Sequence, residues 1–170
     1  MKHLYLIGGT MGVGKTTVSM LMKEKLTNSV FLDGDWCWDM NPFQVTEETK
    51  EMVLDNICHL LNNFIACSAF EHIVFCWVMQ EQKILDRLLS GLNIRNCVVH
   101  LISLICEEAP LRARLEKDVA AGLRTPDVIG RSVSRLPLYQ KLDTVKIDVS
   151  GCSAEEAADC IITLAAGRET

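Results

Sequence analysis

A glycine-rich segment close to the start of the printed sequence has the residue types and the spacing of a phosphate-binding loop. Residues 9–16 read Gly-Thr-Met-Gly-Val-Gly-Lys-Thr and match the pattern G-x-x-x-x-G-K-[ST] at every fixed position. The apolar run Leu4–Ile7 precedes this segment and a helical pattern follows it, which is the context that the pattern requires. The glycines at positions 9, 12 and 14 allow positive φ angles that turn consecutive N–H groups toward phosphate oxygens. The segment therefore predicts a nucleoside triphosphate site.

Two side chains of this loop have distinct expected roles. The ammonium group of Lys15 reaches the β- and γ-phosphates, and the hydroxyl of Thr16 is a ligand for Mg²⁺. The positive end of the helix that follows adds a favourable field for the bound anion. The residues expected to contact the nucleotide are Gly9, Thr10, Met11, Gly12, Val13, Gly14, Lys15, Thr16 and Thr17.

Two carboxylates, Asp33 and Asp35, follow the second apolar run of the chain. At positions i and i+2 of an extended segment they point to the same side. Ligands of open α/β sheets bind beyond the carboxyl ends of the strands, so both acids are expected to face the phosphate-binding loop. Asp35 suits the orientation and deprotonation of an acceptor hydroxyl, and Asp33 suits Mg²⁺. The alternative is an Asp-Gly turn with solvated acids.

Five short apolar runs alternate with helical patterns along the chain. This alternation is typical of an α/β fold in which a parallel sheet is covered by helices on both faces. The runs are Leu4–Ile7, Val30–Leu32, Ile73–Val78, Val98–Ile105 and Val145–Val149. The helical patterns are Thr16–Leu26, Glu47–Ser68, Gln80–Ser90, Pro110–Ala121, Asp127–Leu142 and Ala154–Ala166. Because no linker or repeat interrupts the series, residues 1–170 are expected to form one domain.

Composition narrows the class of protein. The net charge is −5 and the lysines and arginines form no cluster, which argues against a nucleic-acid-binding face. The eight cysteines include no C-x-x-C pair and lie mostly in apolar runs, so reduced thiols and a cytoplasmic location are expected. No apolar stretch reaches the roughly 18 residues of a membrane span. We therefore expect a soluble protein that contacts neither nucleic acid nor membrane.

The motifs together resemble those of the small-molecule P-loop kinases. This group includes shikimate kinase, gluconate kinase, chloramphenicol phosphotransferase and the nucleoside monophosphate kinases. The features that carry the resemblance are the phosphate-binding loop, the segment Leu32–Asp35, a third run Phe75–Val78 that ends without an acid, and the basic segment Leu111–Leu115. The resemblance implies a three-layer α/β sandwich of the P-loop NTPase fold, with a five-stranded parallel sheet of order 2-3-1-4-5. It also implies ATP as the donor and a lid that closes over the phosphates.

The resemblance also implies roles for single residues. By similarity to shikimate kinase-like members, Asp33 lies near Mg²⁺ and Asp35 touches the acceptor. Arg114 matches best the arginine that lies on the adenine, and Arg124 matches the catalytic arginine of the lid. Asp118 stands where the group usually has a second basic residue, which is a departure from the pattern.

Three other arginines have open roles. Arg112 and Arg114 point about 200° apart on a helix, so only one of them can face ATP. Arg131 and Arg135 lie one turn apart on the next predicted helix and are candidates for additional phosphate contacts, with a solvated helix face as the alternative.

The lid is expected at about residues 118–127, where Gly122 and Pro126 punctuate the sequence. An ordinary connection between two helices is the alternative. The acceptor-binding region is expected at about residues 35–68. Trp36, Trp38 and Phe43 either form a wall of the acceptor pocket or pack this loop onto the domain, and Trp77 has the same two interpretations.

The distribution of arginines predicts the class of acceptor. Residues 1–86 contain no arginine, whereas monophosphate kinases hold the acceptor phosphate with arginines in this region. Acids predominate in and beside the expected acceptor region: Asp33, Asp35, Asp39, Glu47, Glu48 and Glu51. A pocket of net negative charge favours a neutral or cationic hydroxyl compound over a nucleotide.

The sequence thus predicts an ATP- and Mg²⁺-dependent phosphotransferase that acts on a hydroxyl of a small molecule, such as a sugar, a sugar acid, a nucleoside or an antibiotic-like compound. A nucleoside monophosphate kinase is the first alternative. A regulatory NTP-binding switch without a small acceptor is an alternative of another class. A monomer and a homodimer are both compatible with the sequence.

Overall fold

The computed structural model describes residues 1–167 and contains a five-stranded parallel sheet. The strands are β1 (Lys2–Gly8), β2 (Ser29–Asp33), β3 (His72–Trp77), β4 (Cys97–Ile105) and β5 (Val145–Asp148). Their spatial order is β2-β3-β1-β4-β5, so the predicted α/β fold class and the predicted strand order 2-3-1-4-5 are confirmed.

Within residues 1–167, six α-helices cover the sheet. They are α1 (Lys15–Lys25), α2 (Glu47–Ala66), α3 (Gln82–Ser90), α4 (Glu108–Ala120), α5 (Asp127–Gln140) and α6 (Ala154–Ala166). On one face, Tyr5 and Ile7 of β1 pack with residues of α1 and α6. On the other face, Leu4 and Leu6 pack with residues of α2, α3 and α5. The alternation of β1 between two apolar clusters explains why its sequence reads as a continuous apolar run.

Local side-chain hydrogen bonds define where two of the helices begin. At the start of α2, the backbone N–H of Thr49 donates to Oγ1 of Thr46 at 3.1 Å, and Oγ1 of Thr49 accepts from the backbone N–H of Thr46 at 2.9 Å. Ser153 and Glu156 form the same reciprocal arrangement at the start of α6. Each arrangement satisfies two backbone donors that otherwise lack partners in the first turn.

The segment after β2 differs from the sequence prediction. Residues Gly34–Trp38 form a short 3₁₀ helix, so the expectation that Asp33 and Asp35 share one side of an extended chain is wrong. The physical reason is the side chain of Asp33, whose Oδ1 accepts a hydrogen bond from the backbone N–H of Asp35 at 3.0 Å. An aspartate that binds the backbone two residues later competes with extended structure and starts a turn.

Within residues 1–167, no helix has both the length and the apolar character needed to cross a membrane.

Candidate active site

The phosphate-binding loop connects β1 to α1 at the carboxyl end of the central strand. Gly12 has φ 80°, and a Cβ atom at this position would lie 2.4 Å from Cδ2 of Leu115 in α4. Gly14, with φ 106°, is the residue that precedes the first turn of α1. Positive φ together with close packing makes glycine necessary at position 12, and positive φ alone favours it at position 14. The tight turn aims the first N–H groups of α1 at a common point above the loop.

The side chains of the loop divide between structure and chemistry. Thr10 is fully buried and its Oγ1 donates to the carbonyl oxygen of Ser132 in α5 at 2.9 Å. Val13 is also buried, so that Thr10 and Val13 offer only backbone atoms to a phosphate. Nζ of Lys15 donates to the carbonyl oxygen of Thr10 at 3.0 Å. Desolvation of this ammonium group lowers the pKa of Lys15, and the charges of nearby acids, including Asp35, oppose that effect.

Two oxygen donors suited to a divalent cation lie side by side below the loop. Oγ1 of Thr16 donates to Oδ2 of Asp33 at 2.7 Å, and Asp33 is 7% exposed. Mg²⁺ prefers oxygen ligands and is usually held by one or two protein groups together with phosphate oxygens and water. No group of three or more His, Cys, Asp or Glu side chains within residues 1–167 has the arrangement of a metal site. The pair of Thr16 and Asp33 therefore fits a cation that is shared with a nucleotide.

Asp35 lies at the edge of a cleft, with its side chain exposed to it. Desolvation raises the pKa of Asp35 above 3.8, and the neighbouring charge of Asp33 raises it further. The positive charges of Lys15 and Arg124 and a hydrogen bond from the side chain of Trp77 act in the opposite direction. A carboxylate with a raised pKa is a better proton acceptor than an ordinary aspartate.

The segment between α4 and α5 places Arg124 near these groups. Nε of Arg124 donates to Oδ2 of Asp118 at 3.0 Å. The charge of Arg124 also acts to lower the pKa values of Lys15 and Asp35. Gly122, with φ 72°, turns the chain after α4, and Leu123 is 74% exposed. Asp118 stands at a position where the kinases usually have a basic residue, and here it forms an ion pair with Arg124.

A cavity of about 260 Å³ lies on the other side of the loop, next to α6. Thr17 and Arg114 line it. The guanidinium of Arg114 donates to the carbonyl oxygen of Val149 at 2.6 Å and to that of Val13 at 3.3 Å. Arg112 instead pairs with Glu108 at 2.7 Å on the exposed side of α4. Of the two arginines, Arg114 is therefore the one beside the loop.

A larger cleft of about 1140 Å³ adjoins Asp35. Its apolar lining includes the aromatic side chains of Trp36, Trp38, Phe43 and Trp77. The rest of the lining comes from the 3₁₀ helix, α2, α3 and α5, from the segments that precede α2 and α3, and from Met11 of the phosphate-binding loop. The cleft therefore extends beyond the 35–68 region that the sequence indicated.

The charges in this cleft balance, so the expectation of a net negative acceptor pocket is wrong. The acids that line it are Asp35, Asp39, Glu47, Glu51 and Glu81. The basic residues that line it are Lys50, Lys83, Arg87, Arg131 and Arg135. The last four lie in α3 and α5, outside the region whose charges the sequence argument counted. Arg95 lines a different cavity beside Lys2 and Asn96, away from Asp35.

Most of these basic side chains already have partners. Lys50 pairs with Glu47 at 2.8 Å and Lys83 pairs with Glu81 at 2.7 Å. Arg87 pairs with Glu51. In α5, Arg131 pairs with Asp127 at 2.8 Å. For Arg135, no carboxylate within residues 1–167 lies at ion-pair distance, so its guanidinium is available to a ligand in the cleft.

Two features of the site were missed by sequence reasoning. A Cβ atom on Gly34 would lie 2.5 Å from Cγ of Trp77, so the glycine between the two aspartates makes room for the indole that interacts with Asp35. Ser132 and Tyr139 hold α5 against the phosphate-binding loop, since Ser132 accepts from Thr10 and the buried ring of Tyr139 lies beside Gly8. The glycine between two aspartates is a sequence signal that could have indicated the close approach of Gly34 and Trp77. Nothing in the sequence indicated the second feature.

A parallel sheet of order 2-3-1-4-5 with a glycine-rich loop after the central strand defines a P-loop NTPase-like α/β protein. A family model described as an AAA domain matches residues 6–122, and the chain belongs to this family. A comparison with curated proteins gives no match.

Solved structures with the same fold include several kinases. The gluconokinase of Sinorhizobium meliloti 1021 is 19% identical, with 98% of this chain and 95% of that chain covered and a TM-score of 0.69. The Mycobacterium tuberculosis APS kinase in complex with AMPPNP and APS is 17% identical, with 96% of each chain covered and a TM-score of 0.67. The Acinetobacter baumannii shikimate kinase in complex with shikimate is 19% identical, with 99% and 95% covered and a TM-score of 0.64. The predicted resemblance to small-molecule P-loop kinases is thereby confirmed at the level of the fold.

Proposed function

We propose that this protein is a phosphotransferase that moves the γ-phosphoryl group of ATP to a hydroxyl of a small molecule, such as a sugar, a sugar acid, a nucleoside or an antibiotic-like compound. One observation carries the proposal: Asp35, a carboxylate with a raised pKa, lines a cleft of about 1140 Å³ that Met11 of the phosphate-binding loop also lines. A switch that only binds and hydrolyses a nucleotide has no need of such a cleft. The kinases of the same fold provide further support.

In the proposed reaction, the loop N–H groups and Lys15 hold the phosphates of ATP. The acceptor hydroxyl lies within reach of Asp35, which takes its proton as the oxygen attacks the γ-phosphorus. The bond between the γ-phosphorus and the β–γ bridging oxygen breaks, and ADP leaves with the electron pair. Because the transition state is loose, accurate positioning and charge neutralisation contribute more than covalent catalysis.

Two further groups complete the proposed site. Thr16 and Asp33 are the ligands proposed for Mg²⁺, which would supply positive charge between the phosphates. Arg124 is the proposed lid arginine, and residues 118–127 are the proposed lid. The ion pair with Asp118 uses Nε of Arg124, and a guanidinium has further N–H donors with which to contact a γ-phosphoryl group. Arg114 is proposed to lie on the adenine, beside the cavity of about 260 Å³.

A screen for acceptor-dependent ADP release tests the proposal. Nucleosides, sugars, sugar acids, aminoglycosides and nucleotides are supplied with MgATP, and the wild type is compared with Lys15→Ala. We expect at least one hydroxyl compound to raise ADP release above the rate of ATP hydrolysis alone, with product mass increased by one phosphoryl group. If ADP release is independent of every acceptor and a protein partner binds only the ATP form, the switch alternative is correct.

A nucleoside monophosphate kinase remains a second candidate because Arg87, Arg131 and Arg135 line the cleft. An arginine is the usual partner of an acceptor phosphate. The two candidate functions predict different values for one ratio. This is kcat/KM for AMP or CMP divided by kcat/KM for the best non-nucleotide acceptor, measured at fixed MgATP and moderate salt. A ratio below one supports the hydroxyl acceptor, and a ratio well above one supports the monophosphate kinase.

A further inference from the structure

Three large apolar side chains, Trp36, Phe43 and Val45, form an exposed rim at the mouth of the acceptor cleft. They are 60%, 67% and 55% exposed, respectively, and all three line the cleft. Single exposed apolar residues are common, but a cluster of three around one cleft indicates a surface that a ligand or a partner covers. We call Trp36, Phe43 and Val45 the apolar rim.

The two rings of the apolar rim are supported from behind. Trp36 meets Phe31 edge to face, with ring centroids 5.4 Å apart. Phe43 is tilted against Trp38, with centroids 5.8 Å apart, and Trp38 packs against the apolar cluster that contains Leu4 and Leu6. Each ring therefore packs against the protein on one side while most of its surface stays open to solvent. This arrangement suits the contact of an aromatic or other apolar group of a ligand.

The charged residues next to the rim do not oppose an apolar ligand. Lys50 and Glu47 neutralise each other, as do Arg87 and Glu51. Paired charges create a weaker local field than isolated ones, and Leu54 and Ile84 extend the apolar lining between them. Asp35 lines the same cleft as the apolar rim, so a molecule with its hydroxyl at Asp35 can extend toward the rim within that cleft.

From these observations we infer that the phosphoryl acceptor is an amphipathic hydroxyl compound whose aromatic or similar apolar group binds the apolar rim. This inference rests on the proposed function, because it names the class of acceptor for the same site. A bare polyol or sugar would leave Trp36, Phe43 and Val45 exposed to water in the complex. An acceptor with an apolar group removes that surface from water and gains affinity from doing so.

Pairs of acceptors that differ only in an aromatic group test the inference. Glycerol is compared with 3-phenoxypropane-1,2-diol, and methyl β-D-glucoside with phenyl β-D-glucoside. Binding is measured by calorimetry, and phosphoryl transfer from MgATP is measured separately as ADP release. The variants are Trp36→Ala, Trp36→Phe and Phe43→Ala. Met20→Ala is the matched control, because Met20 is 44% exposed on α1 and lies outside the cleft lining.

We expect the aromatic member of at least one pair to bind about tenfold more tightly than its partner. Trp36→Ala and Phe43→Ala should remove most of this difference, Trp36→Phe should retain most of it, and Met20→Ala should leave it unchanged. Thermal unfolding of each variant shows whether the fold is intact.

Two outcomes overturn the inference. The first is equal binding of the two members of both pairs, including no detectable binding of any compound. The second is an equal loss of activity with aromatic and non-aromatic acceptors in the rim variants, which would make the rim a contact surface for the lid. A rim-dependent preference for aromatic compounds in binding, without phosphoryl transfer to any of them, supports the apolar ligand site, and the acceptor screen described above then decides the kinase activity separately. The two hypotheses therefore fail in different ways.

Discussion

The two halves of the candidate site are built in different ways. The nucleotide half consists mostly of main-chain atoms from one continuous segment, with Gly12 and Gly14 in conformations that suit glycine. The acceptor half consists of side chains from the 3₁₀ helix, the end of β3, α2, α3 and α5 and the segments that precede α2 and α3. A site made from one segment leaves a pattern in the sequence, whereas a site made from several elements depends on how they pack.

Replacement of Lys15 should have the largest effect. It should impair the nucleotide half of the site and leave the acceptor half intact. Lys15→Ala removes the ammonium group that we propose holds the phosphates of ATP, and we expect acceptor-dependent turnover to fall by about 10²- to 10³-fold or more. Because the side chain is not part of an apolar cluster, thermal unfolding should stay near the wild-type temperature. The measurements are turnover, ATP affinity and thermal unfolding, with Lys23→Ala as the control. Wild-type turnover in Lys15→Ala would contradict the assignment of the phosphate site.

Replacement of Asp35 should impair the transfer of phosphate between the two halves of the site while both halves still bind their ligands. Asp35→Asn keeps the shape of the side chain and removes the proposed base, so we expect turnover to fall by about 10²-fold with little change in ATP binding. In the wild type, kcat/KM should fall as the pH falls through the pKa of Asp35, which lies above 3.8, and this part of the pH profile should be absent in Asp35→Asn. Equal losses in ATP binding and turnover would indicate a metal ligand, and unchanged kinetics would indicate a turn residue.

The same variant has an expected effect on stability. Because the pKa of Asp35 is higher in the folded protein than in the unfolded chain, its ionisation as the pH rises above 3.8 opposes folding. Asp35→Asn should therefore be slightly more stable than the wild type at pH 7, and the difference should vanish at pH values below 3.8. Solvent screens the exposed carboxylate, so the gain should be small. Unfolding temperatures of the two proteins across this pH range provide the measurement.

The fold was predicted more completely than the site, as the boundaries of β2 and α4 show. Alternating apolar runs located β2 to within a residue at each end, since a buried strand must be apolar wherever it packs. The start of α4 was placed at Pro110, yet the helix begins at Glu108, because proline is tolerated inside the first turn. Such errors move a boundary and leave the sheet intact.

Errors in the site had larger consequences. The charge of the acceptor cleft was misjudged because Arg131 and Arg135 are far from Asp35 in sequence and reach the cleft only through the packing of α5. That packing depends on the buried hydrogen bond from Thr10 to Ser132 and on Tyr139, neither of which has a recognisable pattern. Periodicity identifies which face of a helix is apolar, but it does not identify which cleft the polar face enters.

Replacement of Thr10 tests whether α5 connects the two halves. Thr10→Val removes the buried hydrogen bond to the carbonyl oxygen of Ser132, which should cost about 0.5–1.5 kcal/mol of unfolding free energy. Because α5 also carries basic residues of the cleft, we expect the acceptor KM to rise by up to about tenfold and more than the ATP KM. Thr10→Ser retains the hydroxyl and is the control. A larger rise in the ATP KM would place the effect in the phosphate-binding loop itself.

Replacement of Arg135 should have the smallest effect if the acceptor carries no anionic group. It tests the charge of the acceptor cleft, which the sequence analysis predicted wrongly. Arg135→Gln removes the guanidinium that has no carboxylate partner within residues 1–167 and lines the acceptor cleft. For an uncharged hydroxyl acceptor, kcat/KM should change by no more than about threefold, because no charge of the substrate loses its partner. For AMP or CMP the same change should lower kcat/KM by about tenfold or more, since an arginine binds a phosphate through two charge-assisted hydrogen bonds. Arg112→Gln is the matched control, because Arg112 pairs with Glu108 on the exposed side of α4.

A large loss with an uncharged acceptor, accompanied by a raised ATP KM, would assign Arg135 to the nucleotide half. In that event both halves of the site would share α5, and the contrast between a half built from one segment and a half built from several would no longer hold.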